Sequence, residues 1–330
     1  MRRRLLLAGI AARTILPARA ETKRYCIAFA NLDETPGTTL EGLGFTGADV
    51  RSSFELAARG KPIDMLYFDN SGDPARAIAN AQAAIDAHAD LLIEYNADAD
   101  ANAEIARRMA AAGIPVLALI DPVPGAPLYG PDNLAAGLIA GRTLGALARD
   151  TWSNETVLGV MIGDLADPTD AVNERVRGIS QGVQESLPAL KFATLDTGGQ
   201  PVRADALLTK LLLTQRNQRM LIATLDDLAA LYARNAIEMN RRQSDCVIVS
   251  QGLDRNIHGG ANDKKEIDPA NRGSVVLGSV AYFMDRYGYE VLPLALRLLQ
   301  GGTLPQRTTT QHVLVSASNV FRIYPPFDIN

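Results

Sequence analysis

The chain has 330 residues, 47% of them hydrophobic, and a formal net charge of −4. This composition excludes disordered and fibrous proteins and supplies enough apolar surface for the cores of two domains. The acidic balance offers no electrostatic footprint for nucleic acid. The three histidines, His88, His258 and His312, lack metal-ligand spacing, and no nucleophile motif occurs, so the sequence predicts no metal, no catalytic group and no cofactor.

The first twenty residues, "MRRRLLLAGIAARTILPARA", combine an arginine cluster, a short apolar run and a small-residue end. This pattern is typical of an export signal, of either the Sec or the twin-arginine route. Its removal would leave 28 basic and 37 acidic residues, a net charge of −9. Cys26 and Cys246 lie in separate strand-like segments, which favours small apolar core residues over a disulfide.

Strands and helices alternate in the first half of the chain. Between the second and third strands, Asp73 is a predicted helix cap and Pro74 suits the first helical position. The strand candidates are "RYCIAFA" from Arg24, "IDMLYFD" from Ile63, "ADLLIEY" from Ala89 and "IPVLALI" from Ile114.

The same alternation restarts after residue 155. Apolar strands separated by crossover helices predict parallel sheets covered on both faces, and therefore two similar α/β lobes. A third strand-helix-strand unit after Gly273 must join one sheet or be divided between the two. The second-half strand candidates are "TVLGVMI" from Thr156, "KFATLDT" from Lys191, "RMLIATL" from Arg219 and "DCVIVSQG" from Asp245, with helices near 168–187, 203–214 and 226–241.

Four stretches carry a family resemblance: "DNSGDPARAIANAQAAIDAHADLLIEYNADADA", "AAGIPVLALIDPVPGAPLYGPDNLAAGLIAG", "NERVRGISQGVQ" and "GSVAYFMDRYG" with "LALRLLQGG". With them the chain resembles the type I periplasmic binding proteins, the ribose-binding-like receptors of ABC importers. The resemblance implies an α/β fold of two Rossmann-like lobes with parallel sheets, joined by a three-crossover hinge. It implies an N-terminal lobe of 23–131 plus 283–311 and a C-terminal lobe of 132–282 plus 312–330, with the ligand in the cleft between them.

Ligands of open parallel sheets collect at the carboxyl ends of the strands. In the first lobe the resemblance and this rule point to four residues. Phe45 either stacks on a sugar ring or packs locally. Tyr95 and Asn96 follow the third strand, and either could contact the ligand. Asp121 follows the fourth strand, where it either accepts sugar hydroxyls or forms a turn.

In the second lobe the resemblance implies four further contacts. Arg175 matches the family's cleft arginine, its alternative being a solvated charge. Asp226 aligns with an acidic family position, although one carboxylate there caps a helix. Gln251 ends a strand, and its amide both donates and accepts. Tyr282 matches a polar ligand contact, with hinge packing as the alternative.

These residues predict an exported, periplasmic solute-binding protein, not an enzyme, that captures a sugar, sugar alcohol or cyclitol and delivers it to an ABC transporter permease. A monomer without nucleic-acid partners is expected. The alternatives are an exported NAD(P)-dependent sugar oxidoreductase and a sugar-sensing subunit.

"GLGFTG", from Gly42 to Gly47, has the G-x-G-x-x-G spacing of dinucleotide-binding proteins. Eleven residues separate it from the first strand, which breaks the required strand-turn-helix geometry.

Overall fold

The computed structural model describes residues 23–166, 169–259 and 265–325. The predicted export signal, residues 1–20, lies outside the described residues. Within the described ranges, two six-stranded sheets and a two-stranded hairpin make up the β-structure. Each large sheet with its covering helices forms one lobe.

The elements are numbered in chain order. From residue 23 to 131 they are β1 (Tyr25–Asn31), β2 (Thr39–Leu40), β3 (Phe45–Thr46), α1 (Gly47–Ala58), β4 (Ile63–Asp69), α2 (Pro74–Asp86), β5 (Leu91–Glu94), α3 (Ala99–Ala112), β6 (Val116–Leu119) and β7 (Leu128–Gly130). From residue 132 to 282 they are α4 (Asn133–Thr151), β8 (Val157–Gly163), α5 (Asp170–Gln184), β9 (Phe192–Asp196), α6 (Arg203–Thr214), β10 (Arg219–Thr224), α7 (Asp227–Met239), β11 (Cys246–Gly252), α8 (Arg255–His258) and β12 (Val276–Ala281). A 3₁₀ turn (Met284–Arg286), α9 (Tyr287–Leu299), β13 (Arg307–Thr309), β14 (Leu314–Val315) and α10 (Val320–Ile323) complete them.

The first sheet has the order β13-β7-β6-β5-β1-β4, and all of its pairs are parallel. The second has the order β14-β12-β11-β10-β8-β9, and only its edge pair, β12 with β14, is antiparallel. The predicted α/β class with two parallel-sheet lobes is therefore confirmed. The antiparallel edge arises because the chain returns beside the end of β12, where the Ala281 amide donates to the Val313 carbonyl oxygen at 2.9 Å.

The described chain passes between the sheets three times. It leaves the first sheet after β7, returns after β12 and leaves again after β13, so the crossings fall near residues 131–132, 282–286 and 310–313. The strands β7 and β13 and the hairpin β2–β3 have no counterpart among the sequence-predicted elements. Cys26 and Cys246 lie in different sheets and are free thiols.

Helices α4 and α5 approach each other so closely that glycine lines their contact. Gly137, Gly141 and Gly145 face Gly178 and Gly182 across this contact, and an added Cβ on most of them would overlap the backbone of the partner helix. Small residues allow two helix backbones to lie side by side. This pair covers one face of the second sheet, and α5 carries Arg175, so the helix contact fixes the position of that arginine.

Substitution of Gly141 by Ala tests this contact. The new methyl group would overlap the Ile179 carbonyl oxygen and lie 2.9 Å from the Val183 nitrogen. Overpacking of this kind outweighs the better helix propensity of Ala, and we expect a loss of about 1–3 kcal/mol in the free energy of unfolding. Urea denaturation measures this loss in the free energy of unfolding. The control is Gly273→Ala, because nothing lies within 4 Å of the added Cβ there; equal stability of the two variants would contradict the prediction.

Candidate ligand-binding site

Tyr282 lies directly after β12 and is fully buried. Its hydroxyl is 3.0 Å from Gln251 Oε1 and 3.1 Å from Asn133 Oδ1. The hydroxyl has one hydrogen, and both amide oxygens are placed to accept it. Gln251 Nε2 is buried without a hydrogen-bond partner. The three side chains join the ends of β11 and β12 to the start of α4.

Arg175 extends from α5 towards the first lobe and is 4% exposed. Its Nη1 donates to the Leu225 carbonyl oxygen at 3.2 Å, and its Nη2 donates to the Glu41 carbonyl oxygen at 3.4 Å. The guanidinium lies 5.9 Å from the centroid of the Tyr282 ring. Arg175 is therefore not a solvated charge on a helix surface. Its side chain is buried and contacts both lobes.

Glu41 is a cleft residue that the sequence analysis did not select. Tyr95, which follows β5 and is fully buried, donates from its hydroxyl to Glu41 Oε1 at 2.8 Å. Glu41 stands between Leu40 and Leu43 in the glycine-rich segment. Its hydrogen-bond partners, Tyr95 and Arg175, are distant in sequence, so no local signal identifies it.

Asp121 and Asp226 are both acids whose ionisation burial opposes. Burial, and then the charge of Glu41, raises the pKa of Asp121 to about 7. Burial raises the pKa of Asp226 to about 6, although the α7 amides and Arg175 act in the opposite direction. Asp226 caps α7 by accepting from the Ala229 amide at 2.6 Å. Asp226 is thus a helix cap within the electrostatic reach of Arg175, and Asp121 faces Glu41.

Asn96 and Phe45 lie apart from this polar network. Asn96 is 3% exposed and donates to Asn102 Oδ1 at 2.9 Å, while Asn102 donates back to the Asn96 carbonyl oxygen at 2.7 Å. Phe45 is 4% exposed in β3 and belongs to the apolar core that includes Leu40 and Leu43. The amide of Asn96 is directed to the start of α3, and the ring of Phe45 packs locally.

A buried acid, Asp227, joins the strand ends of the second lobe. Its Oδ1 accepts from Ser250 Oγ at 2.5 Å and from Ser279 Oγ at 2.6 Å, and its Oδ2 accepts from the Asp254 amide at 2.7 Å. Burial and the charge of Asp254 raise the pKa of Asp227 well above its usual value. Asp254 Oδ2 is buried without a hydrogen-bond partner. These acids lie in the lobe wall that faces the segment from Leu40 to Gly44.

Glu94, at the end of β5, is a further buried acid that the sequence analysis did not select. Its Oε1 accepts from Asn70 Nδ2 at 3.0 Å, whereas its Oε2 has no partner. Burial raises the pKa of Glu94 to about 8, so the site favours the neutral form of this acid.

His312 connects the crossings between the lobes. Its Nε2 accepts from the Asp132 amide at 3.0 Å, and its Nδ1–H donates to the Ala281 carbonyl oxygen at 2.9 Å. A carbonyl only accepts and an amide N–H only donates, so these partners fix the neutral tautomer. Burial lowers the pKa of His312, while the Ala281 carbonyl and the Asp132 carboxylate oppose that shift. One imidazole thus ties all three described crossings together.

Within the described ranges, no group of His, Cys, Asp and Glu side chains is arranged to hold a metal ion. No helix in the same ranges is both long and apolar enough to cross a membrane.

Comparison with known proteins identifies the family. Residues 44–303 match the model of the periplasmic binding protein domain. No curated protein matches the sequence significantly. Because the match spans most of the chain, the protein belongs to the periplasmic binding protein family, and the predicted membership is confirmed.

Solved structures share the fold at low sequence identity. An ABC transporter solute-binding protein from Bradyrhizobium sp. BTAi1, with bound Bis-Tris, is 17% identical with a TM-score of 0.73, covering 94% of this chain and 88% of its own. A periplasmic solute-binding protein from Actinobacillus succinogenes 130z, with bound D-allose, is 15% identical with a TM-score of 0.66, covering 91% and 100%. A glucose-galactose-binding protein from Geobacillus stearothermophilus is 17% identical with a TM-score of 0.63, covering 90% and 99%.

Substitution of His312 by Asn tests the hinge contact. Asn keeps a donor for Ala281 but leaves the Asp132 amide without its acceptor, so we expect the free energy of unfolding at pH 7.5 to fall by about 1–3 kcal/mol. The folded pKa of His312 lies below its usual 6.5. As the pH falls below that value the unfolded chain gains the proton first, so the wild type loses stability by up to about 1.4 kcal/mol per pH unit. The difference in the free energy of unfolding between the wild type and His312→Asn should therefore decrease from pH 7 to pH 5, as measured by urea titrations.

The matched control is His88→Asn. His88 is exposed with a φ of 56°, a left-handed conformation that Asn tolerates. This control should keep the wild-type pH dependence. If the free energy of unfolding of His312→Asn depends on pH as that of the wild type does, the role of His312 in the hinge contact is refuted.

Proposed function

We propose that this protein is an exported receptor that holds a sugar, sugar alcohol or cyclitol between its lobes and delivers it to an ABC importer. The observation that carries the proposal is a buried polar set drawn from both lobes. Tyr95 comes from the first lobe, and Arg175, Gln251 and Tyr282 come from the second. The solved neighbours described as binding D-allose, or glucose and galactose, support this ligand class.

The chemistry of these groups favours an uncharged, hydroxyl-rich ligand. The Arg175 guanidinium donates paired hydrogen bonds, and the Gln251 amide both donates and accepts. Asp121, with its pKa raised to about 7, accepts when ionised and donates when protonated. A hydroxyl group satisfies each of these partners because it donates one hydrogen and accepts two. Asp226 caps α7 within the electrostatic reach of Arg175, whereas Asn96 and Phe45 lie apart from this polar set.

The mechanism is capture by lobe closure. A ligand that bridges both lobes binds the closed form more tightly than the open form, and this difference in affinity drives closure without chemical change. The proposed lobes are residues 23–131 with 283–311 and residues 132–282 with 312–330. The family and the arginine-rich leader together favour a monomeric receptor in the periplasm, with an ABC permease as its partner.

Thermal denaturation with a ligand panel tests the function. The panel contains D-allose, D-glucose, D-galactose, D-ribose, glycerol, sorbitol and myo-inositol. A ligand at 100 times its Kd stabilises the folded state by about 2.7 kcal/mol, so at least one member should raise the Tm by several degrees. Arg175→Ala should abolish that shift.

The matched control is Arg177→Ala, two residues along the same helix, where the side chain is 56% exposed. This variant should keep the full shift. The proposal fails if no sugar or polyol raises the Tm, or if both arginine variants respond like the wild type.

A further inference from the structure

Ile120 follows β6 in a backbone conformation that few β-branched residues adopt. Its φ is 65°, and the Asp121 amide donates to the Leu119 carbonyl oxygen at 2.8 Å. A hydrogen bond between residues two apart, with a left-handed residue between them, is the mark of the classic γ-turn, which is rare and strained. A side chain branched at Cβ makes this conformation more costly still. The carboxyl end of β6 therefore holds backbone strain directly before Asp121.

Neighbouring residues hold Ile120 in this conformation. Its amide donates to the Tyr129 carbonyl oxygen of β7 at 2.7 Å. A Cβ on Gly130 would lie 3.1 Å from Ile120 Cα, so glycine at that position leaves room for the turn. The Ile120 side chain packs against the apolar core that contains Leu119 and Tyr129. Strain of this kind persists only where the surroundings fix the backbone, and it concentrates at functional sites.

Asp121 is held from its other side by Pro122. A residue before proline is restricted to extended backbone, which limits the conformations open to Asp121. The Pro122 carbonyl oxygen accepts from Asn102 Nδ2 at 3.2 Å, and Asn102 Oδ1 accepts from Asn96 Nδ2 at 2.9 Å. Asn96 therefore supports the loop that carries Asp121, although it lies apart from the polar set of the cleft.

The side-chain contacts of Asp121 do not explain its orientation. Among the described residues, none donates a hydrogen bond to this half-buried carboxylate, and the nearest charge that affects it is that of another acid, Glu41. Burial and a like charge both oppose a carboxylate at this place. The backbone on either side of Asp121 therefore determines where its side chain lies.

We propose that Ile120 is a positioning residue for ligand binding, whose strained turn directs the Asp121 carboxylate into the cleft on the side of Glu41. The inference rests on the proposed function in that it takes Asp121 as a ligand contact. A carboxylate that is already oriented loses less conformational freedom when it binds a hydroxyl, so the fixed turn increases the affinity for the ligand.

Two substitutions at Ile120 in the purified full-length protein test the strain, because the Ala and Gly variants differ by one methyl group. At ordinary strand positions the Gly variant is the less stable of such a pair. At Ile120 the order should reverse, and Ile120→Gly should melt about 2–4 °C above Ile120→Ala, since Gly adopts a positive φ without steric cost. The matched control is Val116→Ala against Val116→Gly in the same strand, where the Ala variant should be the more stable.

Titration of the Asp121 carboxyl carbon by NMR, assigned with Asp121→Asn, tests the positioning. In the wild type, burial and the charge of Glu41 raise the pKa of Asp121 to about 7. In Ile120→Gly the freed backbone should let the carboxylate turn to solvent, so its pKa should fall towards the ordinary value of about 3.9. Val116→Gly should titrate like the wild type. The control separates positioning from a general loss of stability.

The proposal is overturned if Ile120→Gly is no more stable than Ile120→Ala, or if Asp121 titrates at the same pH in Ile120→Gly as in the wild type. For a sugar or polyol that raises the Tm of the wild type, Ile120→Gly should show a Kd about tenfold higher, and an unchanged Kd contradicts the positioning role. The stability and titration measurements need no ligand. A panel without a binder therefore bears on the proposed function alone.

Discussion

The hydrogen bond from Arg175 to the Glu41 carbonyl is the contact on which the arrangement of the cleft depends. A buried guanidinium must be hydrogen-bonded, because an unpaired charge away from water is far more costly than a neutral group. Arg175 meets this requirement with one carbonyl from each lobe. Its position is fixed by the glycine-lined contact of α4 with α5. Packing of α4 against α5 therefore places a cation whose hydrogen bonds reach both lobes.

Burial opposes the ionisation of several acids near the carboxyl ends of the strands. Asp121, Asp226 and Glu94 have pKa values raised to about 7, 6 and 8, in each case chiefly by burial. In each of these acids burial opposes the charged form. The same burial keeps His312 neutral, and a neutral imidazole is what the two hinge contacts require.

The sequence identifies the parts of the fold that are set by local patterns. Long apolar strands such as β1 and β8, and capped helices such as α2 with Asp73 and Pro74, have clear signals. The strands β7 and β13 have three residues each, too few to show a periodicity, and they form because β7 pairs with β6 and β13 pairs with β7. The site is less predictable. Arg175 and Tyr282 were selected from the family resemblance, whereas the partners of Asn96 and the position of Glu41 depend on tertiary contacts that no spacing reveals.

The glycines of "GLGFTG" show why a spacing pattern cannot be read apart from its surroundings. Gly42 and Gly44 have φ values of 62° and 87°, and these left-handed conformations form the tip of the β2–β3 hairpin. Gly47 begins α1, where an added Cβ would overlap the Asp33 carbonyl oxygen. The helix start that would face a pyrophosphate in a dinucleotide-binding protein is thus covered by the chain itself. The spacing matches because a tight turn and a close backbone approach each require glycine, and here they serve a hairpin that places Glu41 between Tyr95 and Arg175.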